Sequence, residues 1–206
     1  MARYNPRKER DFKRARQSRE LKQSFLIICE GVNTEPEYFK AFRLTSASVK
    51  AIGEGLGTLR LVEEAIIVKQ VEAKKRHIFD QYWVVFDKDQ SSDENFCNAI
   101  QLAEKNGFKV AYSNQAFEFW FLLHFNLYQG KIHRERYEEI LSKASGIAYN
   151  KKEGFVTKFF QLLEPKQPKA IERASKILED FNGLSPAKAE SSTTVHELVN
   201  ELNKFR

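Results

Sequence analysis

Cysteine is nearly absent from this 206-residue chain. Cys29 and Cys97 stand alone without a CxxC, and the four histidines are scattered at positions 77, 124, 133 and 196. Neither a disulfide framework nor a zinc cluster is indicated. Long apolar runs are missing too: nothing approaches the roughly 18 consecutive apolar residues of a membrane span. The amino terminus is dense in charge where a signal peptide would be apolar, so a cytoplasmic protein with no membrane association is expected. Nucleotide-binding glycine loops are lacking as well. The GEGLG at 53 to 57 has neither the GxGxxG spacing nor a following Lys-Ser/Thr, and it comes after the second expected strand, which argues against a dinucleotide or ATP site. No internal repeat or low-complexity tract is evident.

What is present is one core's worth of apolar residues and an uneven charge. With 42% hydrophobic residues the chain can bury one domain plus an extension. Residues 1–22 hold nine Lys/Arg, among them Arg7, Lys8, Arg10, Lys13, Arg14 and Arg16, against three acids. That segment therefore carries the whole net charge of +6, and the remainder is balanced. A basic arm of this kind suits nucleic acid, binding phosphates without regard to sequence and with strong salt dependence. The same run also suits a solvated tail.

After the arm, short apolar runs alternate with amphipathic segments of helical length, the pattern of βαβ units around a parallel sheet. Strands are predicted at Phe25 to Cys29, Ser48 to Ile52, Tyr82 to Phe86 and Phe108 to Tyr112. Helices are predicted at Glu37 to Leu44, with Thr34 and Pro36 announcing the start, and at Thr58 to about Arg76. A third should run from a Ser91 or Ser92 cap to Asn106, with Gly107 as the stop. From Ser113 the character changes. Phe117 to Phe125 (FEFWFLLHF) is apolar on nearly every side and reads as a helix buried all round. The rest reads as helices separated by polar loops at Gly146, Pro165 to Pro168 and Asn182 to Pro186. The expected organisation is a basic arm over 1–22, an α/β core over 23–128 and a helical extension packed on it over 129–206.

Two acidic clusters sit where strands should end. Glu30 follows the first strand in CEGVNTEPEYF, and Asp87 with Asp89 follows the third in YWVVFDKD. If those strands are parallel neighbours, three carboxylates converge at the carboxyl edge of the sheet, where open α/β sheets bind ligands. Hard oxygen donors of this kind suit Mg²⁺ or Mn²⁺. A lone DxD is more often a surface turn, but the apolar run before it and the second strand ending in Glu30 favour a site. Glu35 and Glu37 lie where a helix start alone would favour acids, with Glu35 preferred for the site. Glu118, inside the apolar FEFWFLLHF, needs a partner: a metal, a Lys or Arg from the extension, or backbone amides. His124 reads as a satisfied core histidine. Thr194 with Glu197 reads as a capping box for the last helix, and exposed amides at Ser191 to Thr194 could also receive a phosphate.

Taken in order, CEGVNTEPEYF, VVFDKD, SNQAFEFWFLLHF and SSTTVHELV resemble the motifs of the RloB-like family, whose core is similar to a Toprim domain. The resemblance spans roughly residues 24 to 200. It implies a Toprim or Rossmann-like parallel sheet flanked by helices, with Glu30, Asp87 and Asp89 as an Mg²⁺ site. Glu118 matches the glutamate of the family's NPxFExW segment, although Gln115 stands where proline is usual. The resemblance further implies a Mg²⁺-dependent nuclease of bacterial restriction or phage-defence loci. It would act on DNA or RNA, tRNA included, beside an AAA/ABC-type ATPase. Two other readings stay open. One is a non-enzymatic nucleic-acid-binding or regulatory subunit of such a complex. The other is a phosphatase of the haloacid-dehalogenase type, with Asp87 as nucleophile, although that family places its DxD on the first strand.

Overall fold

A computed structural model of the chain describes residues 23–206 apart from Gln90 and Gln129. The arm residues Arg7, Lys8, Arg10, Lys13, Arg14 and Arg16 lie outside the described residues. Four strands, β1 (Gln23–Cys29), β2 (Ala47–Gly53), β3 (Gln81–Asp87) and β4 (Lys109–Ser113), form one parallel sheet in the order β2-β1-β3-β4. The chain winds outward from β1 to β2, then crosses back to β3, so the order reverses between β1 and β3. In doubly wound α/β sheets that reversal point opens the ligand crevice. The architecture is α/β and Rossmann-like.

Both sheet faces are covered, which is why the central strands β1 and β3 read as continuous apolar runs rather than alternating ones. Leu26, Ile28, Val84 and Phe86 pack under α2 (Thr58–Lys74) and α3 (Asp93–Lys105). Phe25, Ile27, Trp83 and Val85 face the opposite way, toward α1 (Thr34–Lys40) and α4 (Glu118–Leu123). The same apolar cluster takes in α5 (Tyr137–Ser145), α6 (Phe155–Leu163), α7 (Gln167–Asp180) and α8 (Val195–Asn203), so residues 129–206 supply most of one layer. Tyr38 knits that layer together. Its ring meets Phe39, Phe42, Phe117, Phe121 and Phe160, and its hydroxyl accepts from Trp120 Nε1 at 2.9 Å.

Several expectations need correction. Helix α1 begins at Thr34 and ends at Lys40 rather than running from Glu37 to Leu44, because Pro36 is accommodated inside the first turn. Gly53 closes β2 instead of opening a loop. Pro165 to Pro168 is no loop. Each proline sits in the first turn of a helical segment, a 3₁₀ turn at Glu164–Lys166 and then α7, where its missing N–H leaves no bond broken. The capping box at α8 does not form: Thr194 caps with no side-chain bond. Its Oγ1 instead accepts from the Tyr112 amide at 2.9 Å, while its own amide donates to the Tyr112 carbonyl at 2.8 Å. Ser191 to Thr194 thus run along the outer edge of β4 and are buried, so they offer no exposed amides to a phosphate. Ser92 caps α3 and Gly107 adopts the left-handed stop. Among the described residues no helix is long and apolar enough to cross a membrane.

Candidate active site

Strands β1 and β3 run side by side, and their exits are stitched together. The Glu30 amide donates to the Val85 carbonyl at 2.9 Å, and Glu30 Oε2 accepts from the Asp87 amide at 3.0 Å. One motif's carboxylate therefore fixes the other motif's backbone. Asp87 points back across the edge, its Oδ2 accepting from the Phe117 amide at 3.1 Å just before α4. Asp89 lies one turn further on with φ of +40°, a left-handed conformation that Asp tolerates better than most residues. That conformation turns the chain after the strand, and Asp89 pairs with Arg134.

Glu35 comes from the first turn of α1 and folds over Gly31. A Cβ at Gly31 would collide with the Glu35 carboxylate, and one at Gly53 would strike the Gly31 carbonyl. Gly53 is therefore required by close approach of the backbone, whereas at Gly31 a Cβ would displace the Glu35 carboxylate from its place. Glu118, on α4, is 3% exposed and is held by two groups from the extension, the Tyr149 hydroxyl at 3.0 Å and Lys151 Nζ at 2.9 Å.

All five acids expected from the sequence, Glu30, Glu35, Asp87, Asp89 and Glu118, line one pocket of about 290 Å³, with Arg134 and Lys151 as its two cations. Glu37 lies elsewhere. Its carboxylate accepts from the amides of Gly154, Val156 and Thr157 and so closes the start of α6. His124 is only half satisfied: Nδ1 bonds the Trp120 carbonyl at 2.9 Å while Nε2 has no partner among the described residues. Burial lowers its pKa to about 3, so it stays neutral.

Crowding of like charges shapes the electrostatics. Burial, together with the charges of Glu118 and Glu30, pushes Glu35 up to about 7. Asp87 is raised well above its ordinary value by burial and by Glu35, Glu118 and Glu30, against which the Phe117 amide works in the other direction. Glu30 is raised by burial, with the Asp87 amide partly offsetting it. Burial opposes the charge on Lys151, but the Glu118 carboxylate more than compensates and its pKa rises. Five carboxylates against two cations leave a deficit of positive charge, and an all-oxygen donor set is the chemistry that Mg²⁺ or Mn²⁺ requires. The donor set fits such an ion. Among the described residues, however, no three His, Cys, Asp or Glu side chains are arranged to hold a single metal. Asp89 and Glu118 are engaged by Arg134 and Lys151, and Glu30 and Asp87 by backbone amides.

Arg134 and Lys151, which line the pocket, and Tyr149, which bonds Glu118, are the residues that sequence reasoning missed. Nothing in KIHRER or YNKKEG distinguishes them from the other basic and aromatic residues of the extension. Among comparisons with known proteins, the model of the RloB-like protein family matches residues 25–202. No curated protein and no solved structure matches the chain.

Proposed function

The chain belongs to the RloB-like protein family, and from that membership together with its acidic pocket we propose that it is a Mg²⁺- or Mn²⁺-dependent nuclease. It would hydrolyse phosphodiester bonds of DNA or RNA, tRNA included, as a component of bacterial phage-defence or restriction loci, with an AAA/ABC-type ATPase as partner. The observation that carries this reading is the convergence of five carboxylates at the reversal point of the sheet. Asp87, Asp89 and Glu30, with Glu118 as an additional donor, are the residues that would hold the ion, which when bound supplies charge neutralisation at the phosphate and an activated water.

The remaining parts of the pocket give the protein's own contribution. Glu30 is oriented by the Asp87 amide, and Asp87 by the Phe117 amide, so both carboxylates are preset by backbone rather than by mobile side chains. Glu118 is held between Tyr149 and Lys151. The basic arm, on sequence grounds, would retain the polymer through its phosphates.

The test is incubation of the full chain with Mg²⁺ or Mn²⁺ and labelled DNA, total RNA or tRNA, beside Asp87→Asn. Cutting should require the metal and fall by about 100-fold or more in the variant. No cutting, together with no Mn²⁺ binding by titration, would leave the carboxylates as the scaffold of a regulatory subunit. Turnover of a simple phosphomonoester in place of any polymer would favour the phosphatase reading.

A further inference from the structure

We propose that Lys151 and Arg134 are exchangeable occupants of the carboxylate pocket. Each holds an oxygen that a divalent cation takes over, and each, once displaced, becomes a phosphate-binding side chain at the pocket mouth. This rests on the nuclease reading of the same site and adds a linked step to it.

Placement comes first. Both cations enter from outside the sheet, on segments without long regular structure. Arg134 opens a three-residue 3₁₀ turn, and Lys151 lies in the irregular stretch between α5 and α6, bounded by Gly146 and Gly154 in left-handed conformations. Withdrawing either head requires no helical bond to break. Their side chains are 41% and 52% exposed, so each has a wet route away from its carboxylate.

Energetics point the same way. The Arg134–Asp89 pair is part-exposed on both sides and therefore weak, whereas Glu118 is buried and requires a counter-ion, which an exposed ammonium or a metal can each supply. A divalent ion on the same oxygens carries twice the charge and belongs to the class of cations that all-oxygen donor sets bind. While Arg134 and Lys151 remain in place, Asp89 and Glu118 keep their oxygens engaged, and among the described residues no three acids are arranged around one ion. Once displaced, the ammonium and guanidinium lose their anionic partners beside a pocket that has gained positive charge. A phosphate is the group that complements both. Metal and phosphate would then strengthen each other's binding, and the coupling must be reciprocal.

The discriminating experiment reads Lys151 directly in the wild-type full chain. An amine-reactive reagent is applied with and without saturating Mg²⁺, and labelling is resolved by peptide mass spectrometry, with Lys169, in its surface pair with Glu172, as internal reference. Mg²⁺ should raise Lys151 labelling severalfold relative to Lys169, and added inorganic phosphate should reverse the rise. In parallel, Lys151→Met should bind Mn²⁺ at least about fivefold more tightly than wild type, because the buried Glu118 then has no competing ammonium. If Mn²⁺ binds but Lys151 labelling is unchanged by metal, the exchange is wrong and the nuclease reading stands. If no divalent ion binds at all, both fall.

Discussion

Glu35 sets the acid–base behaviour of the pocket before any ion enters it. Folding moves its carboxyl from about 4.5 up to about 7, because it is buried beside the charges of Glu118 and Glu30. The folded chain therefore prefers the protonated form. The stability this confers is complete below the unfolded value and disappears as pH climbs through the folded one. In the presence of a chelator, thermal denaturation should show stability falling across pH 4.5 to 7, by at most about 3 kcal/mol from this group. Glu35→Gln should flatten the decline and lower the pKa of Asp87, which feels Glu35 as its strongest neighbouring charge. Identical pH profiles for the two proteins would refute this account. A pocket that repels itself when empty is the kind of local cost that functional sites retain.

At the scale of elements, the joint between α1 and α6 explains how acids only two residues apart serve different ends. Glu35 is turned to the pocket, while Glu37 receives three amides at the start of α6, including Gly154 at 2.5 Å and Val156 at 3.1 Å. A carboxylate there satisfies orphan donors and meets the positive end of the helix. Glu37→Ala should cost about 1–2 kcal/mol in urea denaturation while leaving Mn²⁺ affinity intact, since the side chain does not line the pocket. An equal loss of metal affinity would show that α6 positions the extension's cations. The edge of β4 is handled by comparable local chemistry. Thr194, expected to cap α8, bonds Tyr112 instead, while Thr193 Oγ1 donates to the Tyr112 carbonyl at 3.0 Å and accepts from the Val195 amide at 3.2 Å, so one hydroxyl serves both the strand edge and the helix start.

For the molecule as a whole, the sheet supplies acids and the extension supplies the cations that answer them. Glu30, Asp87 and Asp89 leave strand exits, whereas Arg134, Tyr149 and Lys151 belong to residues 129–206, which also form one side of the main apolar cluster. The sequence places a further positive reservoir in residues 1–22. If that arm retains nucleic acid, deleting it should weaken binding and make the slope of log K against log salt shallower, by about 0.9 for each phosphate the arm had neutralised. Filter binding or anisotropy at several salt concentrations would measure it. An unchanged slope would make the arm a solvated tail.

The sequence alone determined the strands, their parallel arrangement and the identity of four of the five acids, Glu35 sharing a helix start with Glu37 that local pattern did not resolve. Each of these follows from local pattern: apolar runs of strand length, carboxylates at their ends, and a lone acid in an apolar helix that had to find a partner. Glu118 illustrates the limit, since burial dictated that a partner exist but not which one. Only the tertiary structure decided that Tyr149 and Lys151 fill that role, that Arg134 meets Asp89, that Glu37 caps a helix, and that Thr194 seals a strand edge. Those pairings join residues far apart in the chain, and a hydroxyl or an ammonium takes whichever partner packing brings within reach.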